Sequence, residues 1–300
     1  MESQSGFFSS PSEDFSSLSS SLEPVHTSGS GFTVLYRSRT GGRNRLYKCL
    51  KEELAGDPLY ESLLRKEFEI GYMLNHPGIC EYYAFTEIPG LGRCIEMEWI
   101  DGKTLDQRIR EGSLGEKTSR KILAELCDAL SYMHRKQIIH RDLKPENIMV
   151  TLNGDNAKII DFGFSDSDSH LLGKTPAGTM AFASPELISG GEIDSRIDIY
   201  SLGKIMEMMG GMFGSIAEKC TRQRKEDRYS SASEIKEALQ KTGRKIWLFA
   251  IAAALVLIVV GAIVWRQLSL RKAEKAVEKI FEETRDLIIE AGFPEPSEQQ

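Results

Sequence analysis

HRDLKPENIMV, residues 140–150, is the stretch that decides the fold of this chain. Two further stretches follow it: KIIDFGF begins at Lys158, and GTMAFASPE begins at Gly178. A lone DFG would be a weak signal, because short motifs recur by chance. The three stretches in this order and at these separations form a highly specific pattern, which chance assembly in another fold does not explain.

These stretches resemble the eukaryotic-type (Hanks-type) protein kinase family, and the resemblance covers residues 25–242. It implies an α+β fold of two lobes, a small β-rich N-lobe and a mostly helical C-lobe, with ATP bound in the cleft between them. The implied activity is MgATP-dependent phosphorylation of serine or threonine in protein substrates, since a lysine at position 144 is the serine/threonine-kinase form of the loop. The architecture resembles bacterial members that are anchored in a membrane.

The resemblance assigns roles to four polar residues. Phosphoryl transfer needs positioning and charge neutralisation more than covalent help from the protein. Asp142 would orient the incoming hydroxyl and accept its proton, and Lys144 would place its ammonium on the transferred phosphate. Asn147 and Asp161 would hold Mg²⁺ against the nucleotide phosphates.

A lysine and a glutamate upstream complete the expected catalytic set. RLYKCLK alternates like a strand, and Lys48 matches the family's ATP-anchoring lysine. Lys51 is the alternative, but apolar residues share the face of Lys48 in a strand of period two. A helix beginning at Pro58 follows, and the family's position nine residues before its HP motif is Glu67. Glu69 is the weaker candidate, because it faces about 200° further round the helix.

The adenine and phosphate sites are expected from two other segments. In IEMEWIDG, the resemblance places Met97 behind the adenine and the backbone of Glu98 and Ile100 at its edge. The glycine-rich loop GxGxxGxV is met only in part by HTSGSGFTVLYRS, with Gly29 and Gly31 as its first two glycines.

The incomplete glycine loop leaves a second function open. If Gly29 and Gly31 are the first two glycines, Val34 stands at the third position; if Phe32 is the loop tip, serines and a threonine replace all three. Either way the backbone approaches the phosphates less freely. The alternative is therefore a pseudokinase scaffold that binds partners without catalysis, although the intact charged residues oppose it.

The C-lobe is expected to be trimmed after its central helix. DIYSLGKIMEM, from Asp198, resembles that buried helix, and only MGGMFG separates it from SIAEKC. Arg228 is placed to pair with Glu186 of the SPE motif. Arg141 precedes the catalytic aspartate, and kinases with that arginine often order the activation segment by pairing it with a phosphate, for which Thr175 is the better candidate.

Composition excludes some classes. The formal net charge of −6 gives no sign of the basic surplus typical of nucleic-acid binding. The five cysteines are scattered without a CxxC pair, so neither a zinc site nor a disulfide framework is predicted, and reduced buried thiols are expected.

The predicted domain organisation has four parts. Residues 1–24 are Ser-rich, and we expect a flexible segment that is not a signal peptide. Residues 25–242 form the kinase domain. Residues 246–265 contain no charge and at about 1.5 Å per residue would span about 30 Å, which predicts a transmembrane helix rather than a buried core helix. Residues 266–300 form a short helical tail.

Basic residues on both sides of the span leave its orientation undecided by charge. Because ATP and Mg²⁺ are cytosolic, we expect a single-pass protein with the kinase domain in the cytoplasm and the tail on the far side. In the tail, seven residues at 3–4 spacing from Leu270 to Ala291, six of them apolar and one a threonine, predict a homodimeric coiled coil. The alternative is an amphipathic helix on the membrane surface with Phe281 and Ile288 inserted.

Overall fold

The computed structural model describes residues 22–27, 31–40, 42–163 and 179–290. Gly29, Thr175 and most of the Ser-rich segment therefore lie outside the described residues. The chain divides into two compact units, Met1–Leu239 and Gln240–Gln300.

An antiparallel sheet forms the first lobe. Its strands lie in the order β1-β2-β3-β5-β4. A smaller antiparallel sheet in the second lobe has the order β6-β7-β8. The strands within the described residues are β1 (Glu23–Thr27), β2 (Thr33–Thr40), β3 (Arg43–Leu50), β4 (Tyr82–Ile88), β5 (Gly92–Glu98), β6 (Gly102–Thr104), β7 (Ile148–Thr151) and β8 (Ala157–Ile159).

Helices make up most of the second lobe, and one helix packs on the large sheet. The α-helices within the described residues are α1 (Pro58–Tyr72), α2 (Leu105–Arg110), α3 (Glu116–Arg135), α4 (Pro185–Ser189), α5 (Arg196–Met208), α6 (Gly214–Cys220) and α7 (Ala232–Glu290). The expected β-rich N-lobe and helical C-lobe are thus confirmed.

Helix α1 begins where the sequence predicts it. The Asp57 side chain caps the helix by accepting a hydrogen bond from the Leu59 backbone N–H at 2.9 Å, and Pro58 occupies the first turn, where its missing N–H costs nothing. The helix packs against β3, β4 and β5. Its buried residues are Leu63, Leu64, Glu67 and Gly71.

The C-lobe is built around α3 and α5. In α3, Ile122, Leu126 and Ala129 are fully buried at 3–4 spacing, which is the stripe that buries one face of a helix. Helix α6 lies directly against α5, because a Cβ added to Gly203 would stand 2.5 Å from the Cβ of Cys220. Only Met209 and Gly210 separate α5 from the next helical turn, so the connection is as short as the sequence indicates.

The cysteines divide into two groups. Cys80, Cys127 and Cys220 are buried free thiols, as expected. The expectation is wrong for Cys49 and Cys94, which are joined in a disulfide. They face each other across β3 and β5 with Cα atoms 4.4 Å apart, the separation of a non-hydrogen-bonded antiparallel pair. Both are fully buried, and burial slows thiol exchange because exchange needs access.

Helix α7 carries the apolar stretch near the C-terminus. Its residues up to Leu239 belong to the first unit, and the rest belong to the second. Within the described residues, one helical stretch, Ala254–Glu290, is long and apolar enough to cross a membrane by length and composition. The span expected from the sequence, residues 246–265, lies wholly inside α7.

A buried ion pair fixes the lower part of the C-lobe. Arg228 donates to both carboxylate oxygens of Glu186, at 2.7 and 2.8 Å. The remaining guanidinium N–H groups donate to backbone carbonyls of Arg196, Arg222 and Gln223. This is the pair that the SPE motif predicts, and it uses the planar fork of arginine fully.

We expect Arg228→Met to lower the free energy of unfolding by about 3–5 kcal/mol, because it leaves the carboxylate of Glu186 without its partner. The matched control is Arg224→Met, since Arg224 is 75% exposed and lies 3.9 Å from Glu226. We expect the control to cost at most about 1 kcal/mol. Denaturant unfolding measures both, and equal losses would contradict the assignment.

The same pair sets a pH dependence of stability. Partial burial raises the pKa of Glu186, but hydrogen bonds from Arg228 outweigh this effect and hold the pKa below its ordinary value. A lowered folded-state pKa contributes stability above the unfolded-state pKa. That contribution is lost as the pH falls through the folded-state pKa, and the Arg228→Met protein is expected to lack it.

Candidate active site

Lys48 lies between two carboxylates. Its Nζ is 2.7 Å from Oε1 of Glu67 and 3.1 Å from Oδ1 of Asp161. Lys48 is 7% exposed and Glu67 is 2% exposed. Strand β3, helix α1 and the DFG segment therefore meet at one buried ammonium group.

Local structure explains why these side chains meet. Lys48 pairs with Ile95 in the register of β3 and β5, so it lies in the central part of the sheet. Glu67 is on the face of α1 that packs against the sheet, whereas Glu69 is exposed. Lys51 comes after the end of β3, and its backbone N–H donates to the Phe32 carbonyl at 2.9 Å.

Neighbouring groups favour the charged forms of Lys48 and Asp161. Burial lowers the pKa of Lys48, but Asp161 and Glu67 outweigh it and hold the pKa above the ordinary value. Burial raises the pKa of Asp161, but Lys48 and the Gly163 N–H outweigh it and hold the pKa below the ordinary value. An ammonium beside an ionised carboxylate is therefore the state at neutral pH.

The catalytic loop gathers Asp142, Lys144 and Asn147. Oδ2 of Asp142 accepts from Lys144 Nζ at 2.8 Å and from Asn147 Nδ2 at 3.0 Å. Asn147 Nδ2 also donates to the Asp142 backbone carbonyl at 2.9 Å. Oδ1 of Asp142 is buried and has no hydrogen-bond partner among the described residues. Oδ2 is thus fixed by hydrogen bonds within the loop, and Oδ1 can accept a hydrogen bond from a further donor.

The β7–β8 hairpin brings the metal-ligand candidates to one end of the small sheet. Ile148 pairs with Ile159, and the Ile160 N–H donates to the Asn147 carbonyl at 2.9 Å. Asp161 is the next residue and has φ of +68°, an uncommon conformation for a residue with a Cβ. Such backbone conformations persist where the surrounding structure holds them, and they concentrate at functional sites.

Asp198, in the first turn of α5, binds the backbone of the catalytic loop. It is fully buried and accepts from the backbone N–H groups of His140 and Arg141, each at 2.9 Å. His134 Nε2 lies 2.8 Å from the same carboxylate. Sequence reasoning did not assign this role; the signal available was an acidic residue between two isoleucines in the first turn of the helix.

Arg141, whose backbone N–H donates to Asp198, has φ of +66°. In the part of the chain that the structure describes, its Nε and Nη1 atoms are buried without a hydrogen-bond partner. Thr175, the expected phosphate carrier, lies outside the described residues. Pairing between the two stays a prediction.

The residues that the sequence predicts beside the adenine lie at and just after the end of β5. Met97 is 4% exposed and pairs with Leu46 on one side and Tyr82 on the other. The Glu98 backbone N–H donates to Glu81 at 2.8 Å, and the Glu98 side chain lies 2.8 Å from Lys158. Ile100 packs against the core just after the strand.

Of the two loop glycines, Gly31 lies at a bend before β2. Gly29 lies outside the described residues. The Phe32 ring packs on Tyr60 of α1, with centroids 5.5 Å apart. Phe32, which follows Gly31, therefore contacts the helix that carries Glu67.

Within the described residues, no cluster of three or more His, Cys, Asp or Glu side chains could enclose a metal ion. Mg²⁺ commonly takes only one or two protein carboxylates and completes its shell with phosphates and water. Asp161 supplies such a carboxylate. Since the amide nitrogen of Asn147 is committed to Asp142, the amide oxygen is the atom left for a cation. These two residues fit the set expected for Mg²⁺.

Comparison with known proteins agrees with this geometry. A family model for the protein kinase domain matches residues 28–244. The chain is 37% identical over 179 residues to a probable serine/threonine-protein kinase of Streptomyces coelicolor, covering 55% of this chain and 26% of that relative. It is 37% identical over 174 residues to the serine/threonine-protein kinase PknB of Mycobacterium tuberculosis, covering 55% of this chain and 28% of that relative. The match thus spans little more than a quarter of either relative.

A solved structure has a similar fold. The kinase domain of PknI from Mycobacterium tuberculosis matches with a TM-score of 0.58 at 21% identity, covering 74% of this chain and 96% of that domain. Since the family model covers most of the chain and the fold agrees, the chain belongs to the protein kinase family.

Proposed function

We propose that this chain transfers phosphate from ATP to serine or threonine residues of protein substrates. The observation that carries the proposal is the catalytic loop, in which Asp142 keeps one buried carboxylate oxygen without a described partner beside the ammonium of Lys144. A carboxylate in this setting can orient a hydroxyl and accept its proton. The adjacent lysine can neutralise charge on the transferred group.

The other residues act on the nucleotide. Lys48 would bind its phosphates, and Glu67 would hold the lysine in place through the 2.7 Å contact. Met97 would pack beside the adenine, and the backbone of Glu98 and Ile100 would meet its edge. Gly29 and Gly31 would let the loop approach the phosphates.

Asp161 and Asn147 would hold Mg²⁺. When bound, the cation supplies neutralisation of the phosphate charge that builds up during transfer. Lys48 donates to Oδ1 of Asp161, which fixes the carboxylate at the place where the phosphates and the lysine meet.

The test is transfer of labelled phosphate from ATP to a generic protein substrate by the 300-residue chain in detergent micelles. We expect Mg²⁺-dependent labelling, with phosphoserine or phosphothreonine after hydrolysis of the product. The Asp142→Asn protein is the matched control. Absence of transfer by the wild type with either Mg²⁺ or Mn²⁺ would overturn the proposal in favour of a scaffold without catalysis.

We further propose that α7 anchors the chain in a membrane as a single pass. The apolar stretch that supports this lies in the second unit, where side chains such as Leu257 and Trp265 are exposed. An apolar helix of about 20 residues is about 30 Å long, which matches the thickness of the hydrocarbon core of a bilayer. The kinase domain would lie in the cytoplasm, because its nucleotide is there, and residues 266–300 would lie on the far side.

The tail would then pair with a second copy. Leu270, Val277, Ile280 and Leu287 are exposed apolar side chains on the described part of α7, and their separations of 7, 3 and 7 residues form a heptad-like seam. Two tails joined in this way would raise the local concentration of two kinase domains and promote phosphorylation of one by the other.

A cysteine at position 277 tests both orientation and pairing. In intact cells, we expect a membrane-impermeant maleimide to label Val277→Cys but not Glu111→Cys, which lies on the kinase domain. A short bifunctional maleimide should join two Val277→Cys chains. The control for pairing is Lys275→Cys, which lies about 200° round the helix and should crosslink poorly. Labelling of position 277 only after permeabilisation would reverse the orientation, and equal crosslinking at 275 and 277 would exclude the seam.

A further inference from the structure

Tyr82 lies beside the Lys48 cluster, in a position that none of the sequence motifs marks. It is the first residue of β4 and is 5% exposed. Its hydroxyl donates to Oε1 of Glu67 at 3.0 Å. The same oxygen accepts from Lys48 Nζ at 2.7 Å, so one carboxylate oxygen is held from both sides.

Helix α1 leaves room for this ring through a glycine. Gly71 lies one turn after Glu67 on the buried face of α1. A Cβ built at Gly71 would stand 2.6 Å from two atoms of the Tyr82 ring and 2.7 Å from a third. These separations are far below van der Waals contact, and the ring is enclosed by the core, so the helix can hold Tyr82 here only with glycine at position 71.

The other side of the ring meets the DFG segment. The centroids of Tyr82 and Phe162 are 5.7 Å apart, and those of Phe162 and His140 are 5.6 Å apart. Phe162 is 1% exposed and follows Asp161 directly. Tyr82 therefore hydrogen-bonds to Glu67, which is one partner of Lys48. It also packs on Phe162, which directly follows Asp161, the other partner of Lys48.

We propose that Tyr82 is a positioning residue for nucleotide binding, which acts through Glu67 on Lys48, and that Gly71 is its structural complement. The inference rests on the proposed function, because it concerns how that site holds its nucleotide. Its physical basis is that Glu67 is buried, and Oε2 of Glu67 has no hydrogen-bond partner among the described residues. Without the hydroxyl, the carboxylate keeps only Lys48 as a described side-chain partner, and the position of the oxygen that Lys48 contacts is fixed less firmly.

The titratable groups around Glu67 come from three segments of the chain. Lys48 on β3 and Asp161 in the DFG segment act on it directly, and Cys80 lies near it ahead of β4. Tyr82 is the only residue besides Lys48 in the described part of the chain that donates a side-chain hydrogen bond to Glu67. Loss of the Tyr82 hydroxyl therefore weakens the position of the carboxylate that contacts Lys48, because no other described side chain donates to Glu67 in its place.

The first test is Tyr82→Phe, which keeps the ring and removes only the hydroxyl. We expect kcat/KM for ATP to fall about tenfold, mostly through a higher KM, because a hydrogen bond to a charged group contributes on this scale. The melting temperature should fall by only a few degrees, because a single buried hydrogen bond is lost while the packing on Phe162 remains. Tyr83→Phe is the matched control: its ring packs under Arg45 outside the site, and the kinetics should be unchanged.

A double-mutant cycle separates positioning from general structure. In the Glu67→Ala background, Tyr82→Phe should have no further effect on MgATP affinity, because the acceptor of the hydroxyl is gone. An equal loss of affinity in both backgrounds would overturn the proposal. Gly71→Ala should also weaken MgATP binding, because its Cβ would displace the ring and move the hydroxyl away from Glu67, although alanine is the better helix former.

The two proposals fail in distinguishable ways. If the wild type transfers phosphate and Tyr82→Phe has the wild-type KM and MgATP affinity, only the positioning role is wrong. If the wild type transfers no phosphate, the proposed function is wrong, and the affinities of the wild type, Tyr82→Phe and Glu67→Ala proteins for MgATP still decide whether Tyr82 acts through Glu67.

Discussion

Replacing Asp142 with asparagine is expected to lower phosphate transfer by about three orders of magnitude, while the affinity for MgATP stays nearly unchanged. Asparagine has almost the same shape and can still accept hydrogen bonds from Lys144 and Asn147, the two partners of Oδ2. It cannot accept a proton from a substrate hydroxyl. The loss therefore falls on the step after binding, as a decrease in kcat with little change in KM.

Initial rates with labelled ATP, together with equilibrium binding of MgATP, measure this split. Asp128→Asn is the matched control, because Asp128 is a surface carboxylate that pairs with Lys236, and we expect its rates to equal those of the wild type. An Asp142→Asn protein that retains more than about a tenth of the wild-type kcat would exclude the role in proton transfer.

The sequence predicts those parts of this fold that depend on local motifs. HRDLKPEN, DFG and SPE each place several polar residues within a few positions of one another. Once the kinase fold is inferred from them, the positions of Asp142, Asn147 and Asp161 follow. The expected start of α1 is also local, because Pro58 and its capping neighbour Asp57 act within one turn.

The features that sequence reasoning missed depend on contacts between distant segments. Tyr82 meets Gly71 only because β4 lies against α1, and Cys49 meets Cys94 only through the register of two strands. An apolar pattern does not find the buried face of α1, because that face includes Glu67 and Gly71. Non-local pairing of this kind needs the tertiary structure.

Asp161→Asn and Asp142→Asn are expected to affect different steps: Asp161→Asn affects MgATP binding, and Asp142→Asn affects phosphate transfer. The carboxylate of Asp161 carries a negative charge held by Lys48, at 3.1 Å, and by the Gly163 N–H, also at 3.1 Å. An amide of the same size keeps an acceptor for both donors but removes the charge that a divalent cation requires. We therefore expect affinity for MgATP to fall by about two to three orders of magnitude, with kcat/KM falling at least as far.

Adenosine provides the control for the Asp161→Asn protein, because it carries no phosphate and needs no cation. Met97, Glu98 and Ile100, which we propose to contact the adenine, lie in and just after β5, so we expect their contacts to be independent of the charge at position 161. Adenosine affinity should therefore stay within about twofold of the wild-type value, a difference of ~0.4 kcal/mol. Titration of both ligands by calorimetry at several Mg²⁺ concentrations measures the effect. If adenosine and MgATP lose affinity by the same factor, Asp161 supports the shape of the cleft and does not hold the cation.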